Sequence, residues 1–225
     1  ESLEEVLGRH TIKLIYLVPT FQNPTGRTIP LARRQAIAEI IRRRAALLIE
    51  DDPYSPLRYR GERLPPIKTF APDNVVYIST LSKVFAPGLR LGFSVAPALI
   101  QRWMVLAKQG VDLHTSTFNQ ALAAEYLAGG YLEKHLPKIV ALYRPRQEAM
   151  LSALDKYFPA GFHWSRPEGG MFLWVEGPLD AEALYWKAVK QNVAFVPGRY
   201  FFTGPGEGLG TMRLNYTMSD PAAID

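Results

Sequence analysis

Runs of apolar residues alternate with segments of helical length along the first half of the chain. Four of these runs predict strands, at 13–18, 47–50, 75–79 and 91–95. The runs show no polar alternation, and a helix predicted from about Leu31 to Arg44 separates the first two. This arrangement is typical of a parallel sheet that is covered on both faces. The pattern therefore predicts an α/β fold with a mostly parallel central sheet.

Helical periodicity dominates the middle of the chain, and short strands follow Pro159. Helices are predicted over 98–109, 117–128 and 131–157. Pro137 and Pro145 are expected to kink or break the last of them. The strands after Pro159 are predicted at 162–164, 171–176, 194–196 and 211–216, with a helix at 181–191. We therefore expect two domains, 1–135 and a smaller α+β domain 136–225, in a chain cut at both ends from something larger.

Composition limits the possible functions. The 225 residues are 48% hydrophobic, enough for a substantial core, but no run of about 18 apolar residues suggests a membrane span. The absence of cysteine excludes disulfides and thiolate metal sites and fits a cytoplasmic protein. The four histidines lack metal-ligand spacing. The net charge of +5 is modest, and its densest run, Arg42–Arg44, is better explained as a solvated helix end than as a nucleic-acid contact.

Lys83 is the strongest candidate for a reactive group. It follows a predicted strand, next to the hydroxyls of Thr80 and Ser82 and seven residues before Arg90. We expect its amine to be partly buried beside this second cation, and both conditions favour the uncharged amine that forms a Schiff base. The hydroxyls and Arg90 are suited to a phosphate. This predicts a site for a phosphate-bearing aldehyde, although a lone lysine at a loop is more often a simple surface residue.

Other polar groups follow strand ends, where open α/β sheets bind ligands, or interrupt an apolar strand. Asn23 could aim its amide at a ligand or form an ordinary Asx turn. Asp51 could pair with a cationic ring nitrogen and Tyr54 with a nearby oxygen, or this segment could cap a helix. Arg213 could grip a carboxylate in a bidentate manner or form a buried structural ion pair.

Taken in order, these motifs resemble the pyridoxal-phosphate-dependent aminotransferases of fold type I, class I/II. The motifs are Asn-Pro-Thr-Gly at 23–26, Asp-x-x-Tyr at 51–54, Thr-x-Ser-Lys at 80–83 with Pro-Gly-x-Arg at 87–90, and the late Arg213. The similarity covers essentially the whole chain and is greatest with the 2-aminoadipate and kynurenine aminotransferase branch. It implies pyridoxal 5'-phosphate as cofactor. It also implies transamination of a 2-aminoadipate-like amino acid, as in lysine biosynthesis, with 2-oxoglutarate as acceptor, in a homodimer.

The resemblance also implies roles for the cofactor residues. Lys83 would form the Schiff base and act as general acid and base. Asp51 would keep the ring nitrogen protonated, while Tyr54 would hydrogen-bond the ring oxygen. The phosphate would be held by Thr80, Ser82 and Arg90.

Two further residues would complete the site. Asn23 would share the ring oxygen with Tyr54, and Arg213 would clamp the substrate α-carboxylate with help from Asn23. The Gly-rich phosphate loop and the stacking aromatic residue of the family are missing from this chain.

Two other functions stay open at this point. An aminotransferase-like effector domain of a winged helix-turn-helix transcription regulator would carry many of the same motifs, and nucleic acid is an expected partner only if a DNA-binding domain precedes the chain. A β-eliminating lyase also fits, because cofactor residues do not separate reaction types.

Overall fold

The computed structural model describes residues 2–225, which form two compact units. The first contains the stretch ending at Pro19 together with 29–56 and 62–137, and the second contains 20–28, 57–61 and 138–225. From the sequence, residues 20–28 and 57–61 were expected in the first domain, 1–135. Residues 57–61 join the second unit because Tyr59 N–H donates to the Glu168 carbonyl (2.8 Å) and Gly170 N–H donates to the Leu57 carbonyl (2.9 Å).

A four-stranded sheet forms the centre of the first unit. Its strands, in order across the sheet, are β1 (Leu14–Leu17), β2 (Leu47–Asp51), β3 (Val75–Thr80) and β4 (Gly92–Val95). The first three are parallel, whereas β4 runs antiparallel to β3. Only residues 81–91 connect β3 to β4, which is too short for the helical crossover that a parallel neighbour needs. The predicted α/β class with a mostly parallel sheet is confirmed.

The core of the first unit lies on one face of this sheet. Its helices are α1 (Leu3–Arg9), α2 (Leu31–Arg43), α3 (Ala98–Val111) and α4 (Thr117–Ala128). Side chains of the sheet, of α2 and of the segments before β2 and β3 form the buried cluster, which consists of Ile15, Ala38, Ile41, Ala46, Leu48, Ile67, Ala71 and Val75. Burial of these apolar groups is the main stabilising contribution in this unit.

The other face of the sheet is largely uncovered in the described part of the chain. Successive strand residues point to opposite faces, so Ile15 enters the core while Tyr16 is 57% exposed. Leu14 of β1 lies on the same face as Tyr16 and is 46% exposed. Coverage of the second face is therefore incomplete within residues 2–225, although Val76 of β3 is buried there at 4% exposure. The uninterrupted apolar runs indicate which segments are strands, but they do not show what packs on each face.

A buried arginine closes the stem of the loop that carries Asn23. Arg34 of α2 is 1% exposed and donates to the carbonyls of Ile29 (2.8 Å), Pro65 (3.1 Å) and Pro19 (3.1 Å). Ile29 N–H also donates to the Pro19 carbonyl (2.8 Å). Buried charge is costly unless it is hydrogen-bonded, and here the bonds fix both ends of residues 20–28.

The second unit is built on an antiparallel sheet. Its strands are β5 (His163–Trp164), β6 (Phe172–Glu176), β7 (Val196–Pro197) and β8 (Thr211–Asn215), in the spatial order β5-β6-β8-β7. The remaining helices are α5 (Tyr131–Tyr157), which belongs to this unit from residue 138 onward, α6 (Ala181–Val189) and α7 (Pro221–Ile224). Neither Pro137 nor Pro145 ends α5, so the predicted alternative of a break is wrong.

Two tyrosines lie in the interior of the second unit. Tyr59 donates from its hydroxyl to the Gly170 carbonyl, and its ring meets Tyr216 edge-on with the centroids 6.4 Å apart. Gln147 of α5 donates to the Tyr216 hydroxyl at 3.3 Å. Burial raises the pKa of Tyr59 and of Tyr216 well above the ordinary value of a phenol.

Candidate functional site

The carboxyl ends of β2 and β3 lie side by side in the first unit. Asp51, the last residue of β2, is paired with Ile78 of β3, and β3 continues to Thr80 before the turn that carries Ser82 and Lys83. Residues predicted from separate segments of the sequence therefore come from adjacent strand ends. This edge of an open α/β sheet is where ligands bind.

Tyr16 contributes a group that the sequence analysis did not identify. Its hydroxyl donates to Asp51 Oδ2, with 2.5 Å between the two oxygens. Partial burial and the bond to the Asp51 carboxylate raise the pKa of Tyr16 to about 12. Tyr16 therefore acts as a neutral donor and Asp51 as the acceptor. The sequence signal for Tyr16 was the alternation of side chains along β1, which puts Tyr16 on the face opposite to that of Ile15. The strand β1 lies next to β2, which ends at Asp51.

Asp52, which follows Asp51, has a structural role. It is 6% exposed, and its Oδ1 accepts from Ser55 N–H (3.0 Å) while its Oδ2 accepts from the Tyr77 hydroxyl (2.9 Å). These bonds hold the segment after β2, in which Tyr54 is buried at 5% exposure. Because both oxygens of Asp52 are occupied, Asp51 is the carboxylate of this pair that is suited to a ligand.

The hydroxyls of Thr80 and Ser82 form an organised pair. Thr80 Oγ1 lies 2.9 Å from Ser82 Oγ and accepts from Ser82 N–H at 3.1 Å. The same oxygen lies 3.1 Å from the Leu91 carbonyl, and Leu81 N–H also donates to that carbonyl (3.0 Å). These contacts fold the chain after β3 into a tight turn whose hydroxyls could donate to a phosphate.

Lys83 lies in that turn, and its side chain is exposed. This corrects the expectation that the amine is partly buried. The residue that packs inward is Val84, at 4% exposure, and it anchors the turn while the lysine side chain extends outward. Burial by the described residues is therefore not what would favour the uncharged amine of Lys83.

Arg90 closes the short 3₁₀ turn Pro87–Leu89. Its backbone is left-handed, with φ at 56°, and its Nη1 donates to the Pro87 carbonyl at 3.3 Å. Asn119 of α4 donates to the Leu89 carbonyl at 3.1 Å, which ties this turn to a helix. Arg90 is exposed, so most of its guanidinium donors face solvent and are accessible to an anion.

Asn23 and Arg213 are bonded directly to each other in the second unit. Arg213 Nη1 donates to Asn23 Oδ1 at 2.7 Å, across a separation of 190 residues in sequence. Arg213 lies on β8 between Trp174 of β6 and Val196 of β7. The partner in this bond is a neutral amide. Because Asn23 Oδ1 accepts this bond, its NH₂ group remains a donor. Both the NH₂ group and the guanidinium are suited to binding a carboxylate.

Two aromatic rings flank the Arg213 guanidinium. Its central carbon lies 4.2 Å from the centroid of the Phe172 ring and 5.2 Å from that of Phe201. Such contacts attract the cation and limit its orientation. The sequence analysis named neither phenylalanine. The apolar pattern of β6 predicts a strand at Phe172, but it does not show that β8 is the neighbouring strand.

Two classes of site are not found in the described part of the chain. Residues 2–225 contain no cluster of three or more histidine, aspartate or glutamate side chains that could hold a metal ion. None of the helices described is long and apolar enough to cross a membrane.

Comparison with known proteins identifies relatives along nearly the whole chain. The family model described as aminotransferase class I and II matches residues 1–223. Aromatic-amino-acid aminotransferase 1 of Thermococcus litoralis is 45% identical over 209 residues, which are 92% of this chain and 50% of that protein. The 2-aminoadipate transaminase of Thermus thermophilus is 43% identical over 231 residues, covering 100% of this chain and 57% of that protein.

A solved structure gives the same result. The crystal structure of multiple substrate aminotransferase from Thermococcus profundus matches with a TM-score of 0.94 and 44% identity, over 99% of this chain and 57% of that one. The chain spans about half the length of the curated relatives it matches.

Proposed function

Since this chain belongs to the aminotransferase class I and II family, we propose that it takes part in moving an amino group between an amino acid and a 2-oxo acid, with pyridoxal 5'-phosphate as cofactor. The observation that carries this proposal is the set of groups at the ends of β2 and β3. An amine, a carboxylate and a hydroxyl pair come from Lys83, Asp51, Thr80 and Ser82. Arg90 follows in the next turn.

These groups fit the proposed cofactor by their chemistry. The Thr80–Ser82 hydroxyl pair and the exposed Arg90 supply neutral and charged donors for a phosphate. Asp51 supplies a carboxylate for a protonated ring nitrogen, and Tyr54 and Asn23 are assigned the ring oxygen. When bound, pyridoxal phosphate supplies an aldehyde for amines and a ring that withdraws electrons from the substrate α-carbon.

Lys83 has two tasks in this proposal. Its Nζ would hold the cofactor through the aldehyde, and its free amine would accept and return the α-proton of the substrate. An exposed side chain on a turn anchored by Val84 suits both tasks, because the long stem reaches different positions from a fixed base. Tyr16 keeps Asp51 oriented through its hydroxyl, and the raised pKa of Tyr16 keeps that hydroxyl protonated at neutral pH.

Arg213 and Asn23 bind the α-carboxylate of the substrate. The guanidinium offers a fork of donors that matches a carboxylate, and the Asn23 NH₂ group adds one more. Phe172 and Phe201 limit the orientations of the fork before substrate binds. A carboxylate held in this way keeps the neighbouring amino group in a defined position, which converts binding into orientation for the reaction.

We assign the substrates as 2-aminoadipate or an aromatic amino acid, with 2-oxoglutarate as acceptor. Support comes from the relatives, which are named as a 2-aminoadipate transaminase and an aromatic-amino-acid aminotransferase. We also expect a cytoplasmic homodimer. The exposed apolar residues on the open face of the first sheet, Leu14 and Tyr16, are consistent with further protein contacts there. Light scattering after size-exclusion chromatography measures the oligomeric state.

The experiment that tests the proposal follows the bound chromophore. The purified protein is loaded with pyridoxal phosphate and mixed with 2-aminoadipate or phenylalanine. We expect the visible absorption band to shift with the donor and to return when 2-oxoglutarate is added. A band that responds to no amino acid would contradict transamination and would fit the regulator. Release of ammonia from an amino acid with a leaving group on its β-carbon, in the absence of an added 2-oxo acid acceptor, would contradict it in favour of a lyase.

A further inference from the structure

The loop that carries Asn23 is built around a buried phenylalanine. Phe21 is 1% exposed and has a left-handed backbone with φ at 49°, which is rare for a bulky side chain. Such a conformation persists only where surrounding groups determine it, and it is found most often at functional sites. The contacts of Phe21 therefore show what holds this loop in place.

The first contact is with two glycines at the start of β6. A Cβ atom built on Gly169 would lie 2.6 Å from the ring atoms Cε2 and Cζ of Phe21, and one built on Gly170 would lie 2.6 Å from Phe21 Cβ. No side chain fits at either position without moving the phenylalanine. The backbone of residues 169–170 therefore lies directly against Phe21.

The second contact is with Arg58. Its guanidinium carbon lies 4.8 Å from the centroid of the Phe21 ring, although the side chain is only 9% exposed. Its Nη1 donates to Glu168 Oε2 (2.5 Å) and to the Arg60 carbonyl (3.2 Å). Its Nη2 is buried without a hydrogen-bond acceptor among residues 2–225. Hydrogen bonds therefore satisfy only part of the buried Arg58 guanidinium, and its contact with the Phe21 ring explains why it lies there.

The loop transmits the position of Phe21 to Asn23. Phe21 N–H donates to Thr28 Oγ1 (3.2 Å), and Gln22 N–H donates to the Arg27 carbonyl (2.9 Å). Gln22 Oε1 in turn accepts from Thr25 N–H (3.2 Å). These bonds close residues 21–28 into one small structure, so a shift of the phenylalanine shifts Asn23 as well.

We propose that Phe21, held by Arg58 and by Gly169–Gly170, is a positioning residue that keeps Asn23 on Arg213 before substrate arrives. This inference rests on the proposed carboxylate grip of Asn23 and Arg213. Phe21 acts only through Asn23, and its contribution is preorganisation of the amide. A ligand without a carboxylate makes no use of the grip, so Phe21 acts on it only through the contact assigned to Asn23 with the cofactor ring oxygen, and the effect on it should be smaller.

The test compares two substrates that differ in the carboxylate. Phe21→Leu and Arg58→Met are loaded with pyridoxal phosphate and titrated with L-phenylalanine or with phenethylamine, its analogue without the carboxylate. We expect the dissociation constant of phenylalanine to rise about tenfold in both variants, as for loss of one bond to a charged group. The reaction with phenethylamine should change much less. Phe158→Leu is the control, because it makes the same change at a ring that packs on Phe162 and Trp164 instead.

A double-mutant cycle separates positioning from a general loss of folding. In an Arg213→Met background the Phe21→Leu change should have no further effect on phenylalanine binding, because the grip is already lost. Equal weakening of phenylalanine and phenethylamine, or additive effects in the cycle, would overturn the inference. Failure of the proposed function would look different: the unsubstituted protein itself would then show no preference for the carboxylate-bearing ligand.

Discussion

The polar groups at the strand ends of the first unit differ from the Asn23–Arg213 pair of the second in how far they are organised without a ligand. Lys83 and Arg90 are exposed, and each lies on its own turn. Arg213, in contrast, is bonded to Asn23 at 2.7 Å and flanked by aromatic rings. Lys83 and Arg90 are therefore separate cations that a ligand must bring together, whereas Asn23 and Arg213 form a preformed grip.

The difference follows from the local structure that carries each group. Turns after parallel strands present side chains to solvent, and their precision comes from buried neighbours such as Asp52 and Val84. A residue in the middle of an antiparallel strand is fixed by the strands on both sides. Substitutions in the first unit should therefore act on ligand binding one group at a time, and substitutions in the second should act on the pair.

The largest effect is expected for Lys83→Ala. Loss of the general acid and base should lower the rate of transamination by about 10²–10⁴-fold and remove the covalently bound chromophore. Stopped-flow absorbance with an amino donor measures both. Lys187→Ala on α6 is the control and should be unchanged. If Lys83→Ala still turns over at a comparable rate, the amine at the strand end is not the reactive group.

The next effect concerns the preformed grip. Arg213→Met should raise the KM for an amino acid by about 10–100-fold through loss of charged hydrogen bonds, while cofactor affinity is retained. Arg213→Lys keeps the charge but lacks the fork of donors, so its KM should lie between those of the unsubstituted protein and of Arg213→Met. The control is Arg199→Met, since Arg199 pairs with Glu182 on the surface of the same unit. If Arg213→Met lost cofactor affinity by the same factor as it lost substrate binding, the distinction between the strand-end groups of the first unit and the Asn23–Arg213 pair would be wrong.

A smaller effect is expected for Thr80→Val. Valine has nearly the same shape but lacks the oxygen that accepts from Ser82 N–H, so the hydroxyl pair loses its organising bond. Affinity for pyridoxal phosphate should fall about fivefold, corresponding to about 1 kcal/mol. Equilibrium dialysis of the cofactor measures it. Thr217→Val in the second unit should leave that affinity unchanged, and an equal loss there would assign the effect to stability.

The smallest effect concerns pH and the interior of the second unit. Burial raises the pKa of Tyr59 above that of an unfolded tyrosine, which is about 10. The folded protein therefore holds this proton at higher pH than the unfolded chain. The stabilisation is complete below about pH 10 and falls above it, by no more than about 1.4 kcal/mol per pH unit.

Urea unfolding at rising pH tests this expectation. The free energy of unfolding should decline less steeply above about pH 10 in Tyr59→Phe than in the unsubstituted protein. Tyr131→Phe is the control in the first unit, because Tyr131 is 51% exposed. A slope that Tyr59→Phe leaves unchanged would assign the alkaline loss to other groups.

Much of the fold was predictable because apolar periodicity is local. The predicted strands and helices are all present with ends shifted by a few residues, and the long helix 131–157 has the predicted bounds. The antiparallel β4 and the uncovered face of the sheet were not predicted, because both depend on which segments meet in space. Local pattern contains no such information.

The site shows the same limit at the level of single residues. Asn23, Asp51, Lys83 and Arg213 were identifiable because the motifs around them are short and contiguous. Tyr16 escaped notice because its importance depends on β1 lying next to β2, which brings it to Asp51. The partial burial expected for Lys83 was wrong because exposure depends on what covers a turn.

The second unit is discontinuous, and this has a consequence for the order in which the protein is made. Residues 20–28 and 57–61 leave the ribosome before 138–225, yet their contacts lie there: Arg58 meets Glu168 across 110 residues and Asn23 meets Arg213 across 190. Contacts of such long range form late in folding. A nascent chain therefore displays Lys83 before the Asn23–Arg213 grip can exist, and a fragment of residues 138–225 would contain β6 and β8 without the loop that completes the grip.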